Sequence, residues 1–580
     1  MLQECEGERE PPASEGRTHM TTVVDSSADD LYQAALGHWK SGAAAEAEAL
    51  CRRALQRCPT HAGVLCLLGQ IASRGGNLGL AAALLSRAVA LAPEEPAYHL
   101  RLGIIYLRLN QLPHAVAHFG RALELDPGYR RAYANLGAAL LNEGRVPEAV
   151  AHFRRGLELH PDDADVHTNL LFSLHYLPGS TRAELFELAR EWGKRHAPSG
   201  NAFEAHANLP DPERRLRIGY VSGNFAAHPV GYFIEPVLRA HRRDAFEVFC
   251  YTNRHTVDAV TRRLWGYADH WRNLTDLDDA EASRFIRRDG IDLLVDLSGH
   301  TSWHRLPVFA RKPAPVQASW MGYFDTTGVP AVDYLIGDEF VCPPGDEPFY
   351  TERLVRLPGC YLCYAPQTDL EVGPLPLLTS GAPTFGCFNK LAKITPEVIR
   401  TWAALLRVLE GSRLVLKDSG LEHASVRERL LGEFASSGIA SSRIELQGRS
   451  PHRDYLAAYG RIDIALDPFP YNGGTTTVEA LWMGVPVVTL AGDRFVSRMG
   501  LAHLSTVGLS ELVARSTREY VRTTLRLAGD QERLAQLRAG LRARVAASPL
   551  CDGPGFIDGL EVAYRRMWRS WCDKSNHAAG

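Results

Sequence analysis

The stretch "YNGGTTTVEALWMGVPVVTL", residues 471–490, sets two glycines and three threonines directly ahead of an apolar, helix-forming run. Glycine in a core carries an entropy penalty and hydroxyls pack poorly there, so this concentration implies a guest at the backbone. The first N–H groups of a helix lack intrahelical acceptors and lie at the positive end of its dipole, which makes an anion site. A helix opening with Thr475, Thr476 and Thr477 offers those N–H groups together with hydroxyl donors, and Gly473 and Gly474 let an anion reach the main chain. Glu479, one turn further, is placed to accept from a ribose hydroxyl. Thr476 and Glu479 also have the spacing of a capping box, but a cap alone does not need both glycines. The expected guest is a phosphate or diphosphate.

A diphosphate wants a cation. "FGCFNKLAKITPEVI" has the same form of strand, polar turn and helix, the helix beginning near Thr395 and Pro396. Lys393 stands just ahead of that helix, and Lys417 follows the next strand in "LVLKDSG". Neither is a Walker lysine, since GxxxxGK[ST] is missing, and the dinucleotide fingerprint GxGxxG is missing too, which argues against a dehydrogenase. With no HExxH or DxD metal motif in these turns, no metal is expected. Lys393 would then stabilise a diphosphate leaving group as charge builds on it; an ordinary surface lysine is the alternative. Two histidines follow strands, His228 in "GYVSGNFAAHPVGYF" and His300, beside Thr301, in "VDLSGHTSW". Histidine carries protons near neutral pH, and a strand-end loop is the right address for that work. A lone histidine is more often a structural hydrogen-bonding group; two at equivalent strand ends favour function.

The elements that position these groups are legible in outline. After "DPERR", short branched-apolar runs such as "LRIGYVSGNF", "IDLLVDLSGH" and "IDIALDPFPYNGG" alternate with helical segments such as "TPEVIRTWAALLRVL". Strands buried on both faces and separated by helices imply parallel α/β sheets. A polar break near "APQTDLEVGPLPLLTSGAP" predicts two lobes, at 214–375 and 376–548, with a ligand cleft beyond the carboxyl ends of the strands. Residues 549–575 are expected to form a helix that packs back on this region.

Ahead of the lobes, Pro59, Pro93, Pro127 and Pro161 recur every 34 residues, and Gly69, Gly103 and Gly137 keep the same interval. That period is the tetratricopeptide signature and predicts a helical solenoid over 28–205, including the closing helices of "LPGSTRAELFELAREWGKRHA". The solenoid's groove suits an extended peptide, with Asn135 and Asn169 as amides for its backbone, or carries ordinary exposed residues. Residues 1–27 are acidic and polar, and are expected to be a disordered tail rather than a targeting peptide.

With 64 Lys and Arg against 67 Asp and Glu, no nucleic-acid or polybasic membrane surface is expected. No apolar run reaches the ~18 residues a membrane helix needs. Eleven cysteines are scattered, and only Cys360 and Cys363 have CxxC spacing, inside "GCYLCY", which reads as an apolar strand. Reduced thiols in a cytoplasmic chain are the expectation.

Together, the repeats, "HPVGYF", "RKPAPVQASWMGYFDTTG", "FGCFNKLAKITP" and "NGGTTTVEALWMGVPVVTLAG" resemble the O-GlcNAc transferase/SPINDLY family of protein glycosyltransferases, family 41. The resemblance covers nearly everything beyond residue 28. It implies an α-helical repeat solenoid followed by a GT-B region of two Rossmann-like lobes, and an inverting, metal-independent transfer of one sugar to Ser or Thr hydroxyls of intracellular proteins. It likens Lys393 to the family's phosphate-contacting lysine, His228 to its active-site histidine, and Thr475 and Thr476 to its diphosphate-binding threonines. By the same likeness, Asn389 lies in the nucleotide-facing turn. "GRSPHRDY" lies where the base is held, with Arg449, Ser450 and Tyr455 as candidates. Animal members read NGHTTxxD where this chain has Gly474 and Glu479; both changes, with "NKLAKITP" and the tail "SPLCDGPGFIDGLEVAYRRMW", resemble the SPINDLY branch. The implied donor is UDP-GlcNAc or GDP-fucose, with no permanently bound cofactor. Implied partners are protein or peptide acceptors along the repeat groove, and a homodimer through the repeats. A repeat scaffold with an inactive nucleotide-binding module is the competing class; Lys393, the glycines and the threonines together argue against it.

Overall fold

The computed structural model describes residues 27–197 and 206–579, so the expected tail at 1–27 lies, apart from Ser27, outside the described residues. Eight helices among the described residues pair in sequence: α1 (Ala28–Lys40) with α2 (Ala44–Arg57), α3 (Ala62–Arg74) with α4 (Leu78–Leu91), α5 (Pro96–Arg108) with α6 (Leu112–Leu125), and α7 (Arg130–Asn142) with α8 (Val146–Leu159). Each even-numbered helix stops two residues before one of the periodic prolines, which cannot continue it. The periodic glycines make room within each pair. A Cβ on Gly69 would stand 2.7 Å from Leu85, one on Gly103 would stand 2.5 Å from Phe119, and one on Gly137 would run into the Phe153 ring. In the first pair the same places hold Ala35 and Cys51, a larger residue against a smaller one, both fully buried in one cluster. Asn135, expected to face a peptide, turns its Nδ2 back to Arg131 O at 2.8 Å.

These glycines give a sign test. Alanine is favoured over glycine in a helix by about 1 kcal/mol, whereas forcing atoms into a packed core costs about 1–3 kcal/mol. Gly137→Ala is therefore expected to lower the thermal midpoint of the repeats. Gly120→Ala, where a Cβ meets nothing within 4 Å, is expected to raise it. A higher midpoint for Gly137→Ala would contradict the close packing.

This compact unit ends at Pro161, and a second runs from Asp162 onward. The second opens with α9 (Ala164–Leu174) and α10 (Arg182–His196). Two parallel sheets follow. The first holds β1 (Leu216–Ser222), β2 (Phe246–Thr252), β3 (His270–Asn273), β4 (Leu293–Asp296), β5 (Val316–Trp320), β6 (Tyr334–Asp338) and β7 (Arg353–Leu357), in the order β3-β2-β1-β4-β5-β6-β7. The second holds β8 (Thr384–Cys387), β9 (Arg413–Lys417), β10 (Ile444–Gln447), β11 (Ile464–Leu466), β12 (Val487–Leu490) and β13 (Val513–Ala514), in the order β10-β9-β8-β11-β12-β13. Both are doubly wound, so each reverses direction once, between β1 and β4 and between β8 and β11. β4, β5 and β6 are buried at every position, as strands covered by helices on both faces must be.

In "GCYLCY", residues Cys360 to Tyr364 are buried but do not form a strand. The first sheet ends at Leu357, and the segment's N–H groups are taken by Asp338 Oδ2 (from Tyr361, 2.8 Å) and Leu550 O (from Tyr364, 2.7 Å). The C-terminal helix Gly553–Ala579 returns to the first sheet. There its Glu561 accepts from Arg242 Nε at 2.5 Å and pairs with His241 Nδ1 at 2.9 Å, while Trp568 Nε1 donates to Asp211 O at 2.8 Å. No described helix is long and apolar enough to cross a membrane.

Candidate functional site

The turns after β8 and β11 meet at the reversal of the second sheet, where Gly386 and Ala465 are parallel neighbours. In open α/β sheets this is where a crevice forms for a ligand. The turn after β11 leads into helix Thr475–Trp482, whose N-cap is Gly474 with no side-chain cap. The capping box is therefore not formed. The Thr475 and Thr476 N–H groups begin the helix without intrahelical acceptors. The helix ends by a Schellman arrangement at Gly484 (φ +76), with Val485 N–H on Ala480 O at 2.8 Å.

The two glycines differ in what they do. A Cβ on Gly473 would meet Thr477 Oγ1 at 2.5 Å, Thr476 Oγ1 at 2.6 Å and Asp467 Oδ1 at 2.9 Å. The Gly473 N–H donates to Asp467 Oδ1 at 2.6 Å, and Thr477 Oγ1 donates to Gly473 O at 3.1 Å. Gly473 is thus packed against protein, which corrects the expectation that it admits the anion, and Thr477 closes the turn. Gly474 is open, with nothing within 4 Å of a Cβ placed there.

The turn after β8 supplies the cation. Lys393 Nζ donates to Asn472 O at 2.6 Å and to Asn389 Oδ1 at 3.2 Å, and lies 4.3 Å from the centre of the Tyr471 ring. Asn389 Oδ1 also accepts from Thr476 Oγ1 at 2.9 Å, so one oxygen ties the two turns together. Every atom that holds the ammonium is neutral. Burial pushes the Lys393 amine below the ordinary lysine range and the Asp467 carboxyl above the ordinary carboxylate range, their mutual attraction opposing both. Such a cation is poised for an anion that brings its own charge.

Beside this lies a polar-aromatic wall. Tyr455 donates to Phe388 O at 3.3 Å. His452 lies near both Tyr455 and Tyr232 of the first lobe, at 6.0 and 5.6 Å between ring centres, each pair with planes 18° apart. His452 Nε2 bonds Glu479 Oε1 at 3.0 Å, so the nearly buried Glu479 orients a histidine instead of standing free for a ribose. Ser450 Oγ is buried with no protein partner, as expected of a group awaiting a ligand. Arg449 is exposed, and its backbone N–H donates to Glu422 Oε1 at 3.0 Å. Lys417 Nζ donates to Gly448 O at 2.9 Å and braces this wall.

In the first lobe His228 caps helix Pro229–Ala240, its Nδ1 accepting from Val230 N–H at 3.3 Å. Burial, with Lys390 and Arg254 nearby, pulls its pKa down to about 4. His300 does not belong to the site. It is fully buried, Nε2 bonds Thr327 O at 2.7 Å, and the ring is wedged between Trp192 (4.7 Å) and Tyr323 (5.2 Å). Its strand-end loop folds inward under α10, so the expected proton carrier is a structural histidine.

The sequence model of Glycosyl transferase family 41 matches residues 196–367 and 377–560, and a tetratricopeptide model matches 66–129 and 100–164. The chain belongs to glycosyl transferase family 41. Among its relatives is a protein of Arabidopsis thaliana named probable UDP-N-acetylglucosamine–peptide N-acetylglucosaminyltransferase SPINDLY, 41% identical over 71% of this chain and 46% of its own. Another from the same plant, bearing that enzyme name with SEC, is 32% identical over 62% of this chain and 38% of its own. The chain thus spans about half the length of the SPINDLY relative. A solved structure, a lysine-to-methionine variant of Thermobaculum terrenum O-GlcNAc transferase, is 42% identical and covers 96% of this chain and 100% of its own, with a TM-score of 0.77. The expected order of repeats followed by two Rossmann-like lobes is the architecture found.

In this family 41 site, sequence reasoning missed Asp467, Tyr471, Asn472, Tyr232 and His452. Asn472 and Tyr471 stand inside the motif already singled out, and His452 inside "GRSPHRDY". Tyr232 stands inside "HPVGYF", but only the packing of the lobes brings it to His452.

Proposed function

We propose that this chain transfers one sugar from a nucleotide-diphosphate donor to Ser or Thr hydroxyls of proteins. The observation that carries this is the junction of the two turns: an uncapped helix start over open Gly474, beside a lysine held only by neutral groups. A diphosphate on the Thr475 and Thr476 N–H groups would bring its charge to Lys393. The base would then lie along Tyr455 and His452, near Ser450. The relatives' names favour UDP-GlcNAc as donor; GDP-fucose is the second candidate, since Gly474 and Glu479 follow the SPINDLY pattern.

In the proposed reaction the acceptor oxygen attacks the anomeric carbon from the face opposite the diphosphate, inverting it. The new C–O bond forms as the bond to the diphosphate breaks, and charge moves onto a leaving group that Lys393 and the helix start stabilise. His228 is neutral at pH 7, and because Nδ1 accepts a hydrogen bond its proton sits on Nε2. That ring is suited to orienting the acceptor as a donor, and poorly suited to removing its proton.

Protein acceptors along the repeat groove, a homodimer through the repeats and a cytoplasmic setting complete the proposal; all described cysteines are free thiols. Titrating the full chain with UDP and with GDP in a calorimeter tests the site. Binding of one is expected, and Thr475→Ala is expected to weaken it; failure of both to bind would sink the reading. Because a lysine and a helix start are assigned the leaving group, transfer is also expected to continue in excess EDTA. Activity abolished by EDTA and restored by magnesium or manganese would contradict that assignment.

A further inference from the structure

Lys393 rests on the face of Tyr471, and the position of that ring is set from outside both sheets. Tyr471 stacks on Tyr176, with centroids 5.0 Å apart and planes 20° apart. Tyr176 stands two residues past the end of α9, in the segment that joins the repeats to the first lobe. Both rings are almost completely buried, at 5% and 3% exposure, so neither has room to swing. Phe172, also from α9, meets Tyr176 edge-on at 5.6 Å and Tyr471 at 6.2 Å, and Phe324 meets Tyr471 edge-on at 6.3 Å. His175, between them in sequence, bonds Tyr323 Oη at 2.9 Å and anchors the helix end.

We propose that Tyr176 is a positioning residue for Lys393: by fixing the plane of Tyr471, it keeps the face of that ring under the ammonium. The proposal rests on the reading of Lys393 as the group that stabilises the leaving diphosphate. The remaining surroundings of Lys393 explain why the ring matters. The charged or titratable groups facing it are Asp467 beyond β11, which favours the cation, Lys390 in its own turn, which opposes it, and Cys387 at the end of β8. Its direct hydrogen-bond partners are the oxygens of Asn389 and Asn472, which accept more strongly from the ammonium than from the neutral amine. The Tyr471 face adds a further preference for the charged form, and it is the contact that Tyr176 governs. A tilted ring turns its positive edge toward the amine and removes that preference. A helix end in the segment after the repeats thereby bears on the chemistry of the catalytic turn.

The test is the titration of Lys393 in the full chain, with no donor present. Limiting acetic anhydride, applied across a pH series and read by peptide mass spectrometry, gives the apparent pKa of this amine. Tyr176→Phe keeps the flat face and is expected to leave the titration unchanged. Tyr176→Leu removes the face, and Tyr176→Met fills the volume without one. Both are expected to lower the apparent pKa by about half to one pH unit, as a tilted ring loses part of the roughly 1.5 units that a desolvated cation–π contact supplies. In turnover of a nucleotide sugar, the alkaline limb of kcat should move to lower pH in the same two variants, with the donor KM changing less. A wild-type titration in either variant, with or without a lower melting temperature, would overturn the proposal. If Leu does not fold, Met carries the test. A shifted titration in a protein whose wild type turns over no nucleotide sugar would support the positioning role and refute the functional reading instead.

Discussion

Lys393→Ala is expected to lower kcat by about 100- to 1,000-fold, with nucleotide affinity reduced far less. The effect is large because the charge it must meet grows as the transition state is reached. In the ground state the ammonium is held by Asn472 O and Asn389 Oδ1, with no carboxylate among the described residues in direct contact with it. As the anomeric bond breaks, a further negative charge gathers on the leaving phosphate, and a partly desolvated cation acts on it without competition from water. The fold should survive, because Asn389 keeps its bond from Thr476 and a buried charge contributes little net stability. Single-turnover rates of the variant and the wild type, on preparations with matching melting temperatures, check this. Equal rates would mean that another group carries the leaving-group charge. Lys393→Arg is not a rescue by default, since a planar fork of donors does not replace a point charge over a ring.

Gly473→Ala is expected to damage the site from the protein side and Gly474→Ala from the ligand side. At Gly473 the added Cβ falls 2.5–2.9 Å from three oxygens, those of Thr477, Thr476 and Asp467. Relief requires the helix start to move, which breaks the Thr476–Asn389 link and loosens the Asp467 brace. A loss of about 1–3 kcal/mol in stability is expected, together with weaker nucleotide binding. At Gly474 the same methyl meets nothing, so stability should hold while it occupies the space assigned to the diphosphate. Thermal melts and nucleotide titrations on both variants separate the effects. A Gly474→Ala variant that binds nucleotide as tightly as wild type would remove the diphosphate from this turn.

What could be read in the sequence followed from periodicity and local turn chemistry. The 34-residue spacing of prolines and glycines specifies helix pairs, because each glycine answers a bulky residue 16 positions on. The buried branched runs specify parallel strands, and the Gly-Gly-Thr-Thr turn and Lys393 come together because their strands are neighbours. What could not be read depended on contacts distant in sequence. His300 and His228 both follow strands, yet one loop folds under α10 and the other caps a helix facing the second lobe. Lys417 and Glu479 looked free because their partners, Gly448 O and His452, are 31 and 27 residues away. Gly473 and Gly474 are indistinguishable as letters, and only the positions of Asp467 and the threonine hydroxyls give them different work.

The most direct measurement is sugar transfer itself. The full chain, wild type beside Lys393→Ala, would be incubated separately with labelled UDP-GlcNAc and labelled GDP-fucose and a protein acceptor, and the label located by mass spectrometry. The expected result is label on Ser or Thr hydroxyls from one donor with the wild type, and little or none with the variant. Nucleotide bound at the site with no label transferred from either donor would contradict the account and favour a repeat scaffold carrying a nucleotide-binding module.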